Sequence, residues 1–374
     1  MPISAVDCVQ PAIQHTRDQL FRPFQFGQWS RLALVGILAA EVHTGGCNFN
    51  GVNFPHIPSQ RPGHEFLAST STSFPFDPSH FDPARIAQFA GLIVAIILLA
   101  TILGVIFLYI SSVFRFILFD SVLTRRCSIG EGWQRWHRAG RRYFLWQIVF
   151  LIAELLFLGI LLGVPLAIAA ALGWFNDIEQ HVGRTVIGAI LLLGLFLLFA
   201  LIAAVTQVLA KDFLVPIMAL DEVDFADGWS RLLALIRPEP GKYVVYLLLK
   251  IVLGIAAAIL FGIIAVIPAL ILIAPAVIAV FAGHAAGLEW NVTTVSLAVI
   301  FGTVLLILLV YVIALVCVPA TVFFPAFSIH FFASRYPKLD ALLNPPPAPE
   351  IPPALEPSPP PQPSPPIPPP EPIG

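Results

Sequence analysis

Arg125-Arg126-Cys127-Ser128-Ile129-Gly130-Glu131-Gly132-Trp133-Gln134-Arg135-Trp136-His137-Arg138-Ala139-Gly140-Arg141-Arg142 holds six arginines against one glutamate, with near-continuous apolar sequence on either side. A basic loop between hydrophobic runs marks orientation, because cytoplasmic loops retain Lys and Arg. The stretch also contains Gly132-Trp133-Gln134-Arg135, a small pattern that recurs in the chain.

Working outward, the apolar runs set the class. Of the 374 residues 58% are hydrophobic and 11% charged, against about 25% charged in a typical soluble domain. Several runs exceed the ~20 residues that a helix needs to cross the hydrocarbon core. The fold class expected is all-α integral membrane, because a β-barrel would show alternating segments of ~10 residues. About six transmembrane helices are expected, near 29–43, 86–110, 143–172, 186–208, 243–265 and 292–318. The run after 243 continues to 282, so 266–282 reads as a re-entrant or interfacial piece broken at Pro268 and Pro275. The segment 29–43 is the weakest span: started at Gly27 it is short for a core of about 30 Å.

The remaining segments are polar or amphipathic. Residues 1–28 form an N-terminal interfacial segment, with Ile13, Thr16, Leu20 and Phe24 along one helical face. Residues 29–344 form the transmembrane domain. The loop 43–84 is rich in Gly, Pro, Asn and Ser, so it is turn-rich. Its His43, Cys47, His56, His64 and His80 lack the spacing of a zinc motif. The segments after the second, fourth and sixth spans read as amphipathic helices on the cytoplasmic surface. Residues 345–374 contain 17 prolines and no Lys or Arg, which gives a disordered, polyproline-rich tail. That tail is a solvated spacer or a ligand for a proline-binding protein partner. The four cysteines have no paired spacing and only Cys47 falls outside the cell, so no structural disulfide is expected.

Charge asymmetry orients the chain. With both termini cytoplasmic, the inner segments hold 16 Lys and Arg and the outer loops only Arg61, Arg85 and Arg184. That ratio favours this orientation, with the basic face toward anionic lipid headgroups.

Three segments share a pattern: Trp29-Ser30-Arg31, Trp133-Gln134-Arg135 and Trp229-Ser230-Arg231. Each precedes an apolar hairpin, which gives three repeated hairpin units. Trp settles at headgroup level and the Arg two residues on reaches lipid phosphate, so the six residues read as interfacial anchors. The alternative is that Arg31, Arg135 and Arg231 gather into one anionic site. A two-span unit preserves orientation, so the copies are parallel and not the inverted repeats of many transporters. Phe24-Gln25-Phe26-Gly27-Gln28-Trp29-Ser30-Arg31, followed by Gly45-Gly46-Cys47-Asn48-Phe49-Asn50, resembles the start of an uncharacterised prokaryotic multi-pass membrane family. The later Gly-Trp-x-Arg hairpins are loosely similar to the membrane domain attached to some glycerophosphodiester phosphodiesterases. That resemblance implies a membrane module without the catalytic barrel, and it supplies no site residues.

No phosphate-binding, zinc-protease or serine-hydrolase motif is present, so no enzymatic activity and no cofactor or metal are expected. No feature points to nucleic acid. Asp221, Glu222, Asp224 and Asp227 form a solvated acidic face, with Asp224 as a helix cap. Two ionisable residues fall inside spans, which is costly and marks functional candidates. These are Glu154 and Lys250. They pair as a salt bridge, or Lys250 reaches the surface while Glu154 stays protonated, or Glu154 lines a proton or substrate path. Gln147 and Gln207 can add hydrogen bonds between helices. The function expected is a membrane scaffold or accessory component, open to oligomerisation. The alternative is a transporter or channel using Glu154 and Lys250.

Overall fold

The computed structural model describes residues 4–41, 83–173, 178–287 and 291–344, and these are helical with no strand among them. The turn-rich stretch with its histidines and the proline-rich tail lie outside the described residues. Two short helices come first, α1 (Val9–Phe21) and α2 (Phe26–Leu38). Four long helices follow: α3 (Pro83–Thr124), α4 (Ile129–Ala171), α5 (Ile178–Leu209) and, after two short ones, α8 (Pro240–Ala285). Between α5 and α8 lie a π-turn (Ala210–Leu214), α6 (Val215–Asp221) and α7 (Phe225–Ile236). The chain closes with α9 (Val292–Ala333) and α10 (Pro337–Leu343).

Five stretches are long and apolar enough to cross a membrane: Ala90–Leu123, Ile129–Ala171, Thr185–Asp221, Pro240–Gly283 and Val292–Ala333. The weakest expected span, 29–43, is not among them. Its helix α2 has 13 residues, about 20 Å at 1.5 Å each. The piece over 266–282 is not re-entrant: α8 runs 46 residues straight through Pro268 and Pro275. A proline costs one hydrogen bond and a clash, and neighbouring turns of a membrane helix absorb both.

The interfacial segments expected after the spans are also continuations of them. α3 has 42 residues, about 63 Å. Its last part does not bend onto a surface but enters a packed base. Val113, Phe116, Ile117 and Val122 there are fully or almost fully buried. The basic stretch is likewise a helix from Ile129 onward. Its arginines face out, while Gly132, Trp136, Gly140 and Tyr143 are buried at helical spacing against α3. Glycine is needed here for close approach. A Cβ on Gly140 would sit 2.6 Å from Val113 Cγ2 and 2.8 Å from Val113 Cα.

The core of the molecule is this base, where one end of every span meets α1, α2, α6, α7 and α10. Aromatic rings dominate it. Tyr246 stacks on Phe327 and Phe331 at 5.1 and 4.6 Å, and Phe213 lies 5.2 Å from Phe332. Beyond the base the spans are bare along most of their apolar length. Water would not tolerate such surface, and hydrocarbon does.

α1 corrects the expectation of a helix lying free on the membrane. Ile13 and Phe24 are exposed, and the buried face is Ala12, His15, Thr16, Gln19 and Leu20. That face docks on α9 and on the C-terminal end of α3. The last carbonyls of a helix have no partner within it. Here His15 Nε2 meets the Val122 carbonyl at 2.9 Å, and Gln19 donates to that of Ser121 at 2.9 Å. Just past the helix, Gln28 donates to the Arg125 carbonyl at 3.0 Å. Cys317 is disulfide-bonded, against the expectation of none, and its partner lies outside the described residues.

His15 makes α1 acid-sensitive. Burial pushes its imidazole below the ordinary value of 6.5, with the Val122 carbonyl opposing, Arg125 adding to the fall and Asp18 opposing. The His330 ring lies edge-on at 5.5 Å, and His15 Nδ1 is buried without a hydrogen-bond partner. A depressed folded pKa gives stability that is complete above about 6.5 and is lost as pH falls through the folded value. Hydrogen exchange of the α1 amides is therefore expected to accelerate between pH 7 and pH 5. His15→Gln should weaken that dependence, and an unchanged pH profile in the variant would refute the assignment.

Candidate functional site

Charged residues enter the base from four directions. Glu41 follows α2, Arg115 lies on α3, Lys211 and Asp212 lie in the π-turn, and Lys250 lies on α8. The π-turn has a local cause. Pro216 has no N–H to give to the carbonyl of Asp212 four residues earlier. The ladder there shifts to π bonding, and such turns are frequent at functional sites.

These five residues line one cavity of about 30 Å³, closed further by Leu118, Phe119, Phe324 and Ser328. Lys211 pairs with Glu41, and Lys250 donates to Asp212 Oδ2 at 2.5 Å. Both carboxylates are almost fully buried, at 4% and 5% side-chain exposure. Burial alone would push the Glu41 carboxyl up. Lys211 first, then Arg115 and Lys250, hold it below the ordinary glutamate value.

Two tyrosines complete the cluster in matching ways. Arg115 donates to Tyr143 Oη at 2.7 Å, and Tyr246 Oη donates to Asp212 Oδ2 at 2.9 Å. Arg115 and Asp212 each precede a fully buried phenylalanine, Phe116 and Phe213. In each case the tyrosine sits at the entry of a later hairpin.

The structure separates the residues that the sequence singled out. Lys250 does not pair with Glu154, nor reach a surface alone: its partner is Asp212. Glu154 is only partly buried on the bare length of α4, and no ion pair to it occurs among the described residues. Gln147 is buried and accepts from Ser112 Oγ at 2.5 Å, which ties α4 to α3. Gln207 is partly buried and makes no hydrogen bond among the described residues. Arg115, Asp212, Lys211 and Glu41 were missed because their polar turns read as surface segments. A charged residue set against Phe116 or Phe213 was the available signal.

The three Trp-x-Arg copies occupy the same place, the first turns of α2, α4 and α7. Each tryptophan is partly buried and has its own contact. Trp29 donates to the Leu315 carbonyl at 2.8 Å, Trp133 lies edge-on to Tyr109 at 6.1 Å, and Trp229 lies 6.1 Å from Trp146. The arginines are exposed and do not share a partner. Arg31 donates to the Cys127 carbonyl at 3.4 Å, Arg135 pairs with Asp120 at 3.7 Å, and Arg231 pairs with Asp221. They do not form one anionic site. Asp224 holds the N-cap position of α7 without a capping hydrogen bond and pairs with Arg142 at 3.1 Å. Among the described residues no group of three or more His, Cys, Asp or Glu could hold a metal ion.

Five long apolar helices clamped at a shared base define the class, an all-helical, membrane-embedded protein. The chain belongs to a family of unknown function, DUF7544, whose model matches residues 3–342. No curated protein and no solved structure matches it.

Proposed function

We propose that the chain is a non-enzymatic scaffold or accessory component of a prokaryotic cytoplasmic membrane. One observation carries this reading: the protein clamps its spans at one end and leaves their apolar lengths bare. Within the most hydrophobic window of each span, between 0% and 11% of residues are buried inside the protein. Lipid tails cover such faces, and the helices of other membrane proteins can replace the lipid. Gly159 and Gly163, four apart on α4, both face open space, a spacing on which membrane helices approach closely.

The orientation with the base inside draws support from its charges. Arg125, Arg126, Arg135, Arg142, Arg231, Arg335 and Lys338 all flank it, as the retention of basic residues on the cytoplasmic side requires. The three-unit repeat draws support from the matched Trp-x-Arg turns and from the two tyrosine contacts. Anionic lipid headgroups are the partners of the basic face. An open cleft of about 940 Å³ there is lined by Arg22, Arg31, Arg125 and Arg126 against Asp18 and Glu131. The proline-rich tail is a spacer, or the docking segment for a protein partner. Transport is the second reading, favoured by the buried ionic cluster within a membrane-embedded bundle.

Flux assays on purified protein in liposomes test the two against each other. The scaffold reading expects no solute or ion flux above empty liposomes. It also expects photocrosslinkers at positions 159 and 163 to give discrete adducts with a membrane protein in native membranes. Flux above background that falls in Lys250→Met or Glu154→Gln overturns it.

A further inference from the structure

Among its described lining residues the cavity at the base carries one more positive group than negative. Arg115, Lys211 and Lys250 line it against Glu41 and Asp212. The two lysines are matched by the two carboxylates. Arg115 is the surplus cation. Its one hydrogen bond goes to a neutral phenol, Tyr143, and its Nε is buried without a hydrogen-bond partner. No carboxylate lies within ion-pair distance of its guanidinium among the described residues. Arg115 is partly buried, and a guanidinium has five donors to satisfy.

We propose that this cavity is a binding site for a small monovalent anion of the halide class, held chiefly by Arg115 with the Lys250 and Lys211 ammonium groups beside it. Charge, size and donors agree. One bound monovalent anion brings the formal charge of the cluster to zero. A cavity of about 30 Å³ has room for a water or two, or for one ion of that size. Donors remain for it: Arg115 leaves Nε–H without a protein acceptor, and the Lys250 ammonium carries three hydrogens and gives one to Asp212. The π-turn brings two consecutive residues, Lys211 and Asp212, to the same cavity wall. The anion is thereby tied to the backbone irregularity between α5 and α6. The site is independent of the scaffold reading, because structural and transported anions need the same donors.

The test is thermal unfolding of the full chain in nanodiscs, at constant ionic strength, as sodium gluconate is replaced by sodium chloride or sodium bromide. Tm is expected to rise saturably with either halide, by on the order of 5 °C at about 100-fold above half-saturation. Arg115→Gln should abolish the rise. A flat Tm, or an equal rise in Arg115→Gln, overturns the proposal. Should that variant not fold, anomalous scattering from crystals of the unaltered protein grown in bromide decides: a peak between Arg115 and Lys250 is expected, and none refutes the site.

Discussion

Asp212→Ala is expected to cost the protein about 3–5 kcal/mol, the usual penalty for removing one member of a buried ion pair. Asp212 Oδ2 accepts from both Lys250 and Tyr246. Its loss leaves an ammonium at 14% exposure and a fully buried phenol without an acceptor, and each is costly alone. Equilibrium unfolding in nanodiscs or mild detergent measures the loss. The paired variant Asp212→Ala with Lys250→Met should recover most of it. Replacing a buried pair with apolar groups is often neutral, and breaking it is not. A single-variant loss under about 1 kcal/mol, or losses that merely add, would mean that the pair is solvated and the cluster is not a closed unit.

Gly140→Ala is the second large effect. Helix propensity alone would favour the change by about 1 kcal/mol. Packing opposes it, because the new methyl would lie 2.8 Å from the Val113 Cα, which is backbone and cannot rotate away. The two helices must part, which costs roughly 1–3 kcal/mol in a packed core and disturbs the Ser112–Gln147 bond two turns further along α4. Gly159→Ala is the control on the same helix, since a Cβ there meets nothing within 4 Å. The first is expected to lower Tm and the second to leave it unchanged or raise it. Equal behaviour would show that α3 and α4 do not touch as closely as described.

The class of the fold was readable because hydropathy is a property of each segment taken alone. The long apolar runs are helices, and Lys250 was marked by its depth in one of them. Its partner was not readable. Asp212 lies past the end of an apolar run, where a polar pair such as Lys211-Asp212 signals a surface turn. Only the π-turn at Pro216 and the docking of α8 turn that pair inward. Glu154 shows the opposite failure: depth in a helix was legible, but the direction of the side chain depends on which neighbours arrive. Likeness to the later hairpins makes 29–43 read as a span, while α2 has 13 residues, in keeping with the short hydrophobic run there. In the basic stretch the arginines set the charge pattern, while Gly132, Trp136 and Gly140 between them carry the packing.

The base is assembled from segments that are far apart in time as well as in sequence. α2 ends at Leu38, and α9, which it packs against, ends at Ala333. At about 5–20 residues per second, a ribosome needs roughly 15–60 s to supply the second after the first. The earlier spans must therefore enter the bilayer before the rings of Phe327, Phe331 and Phe332 exist to close over Phe213 and Tyr246. Through that interval Glu41 and Arg115 lack the wall that Phe324 and Ser328 of the last span give their cavity.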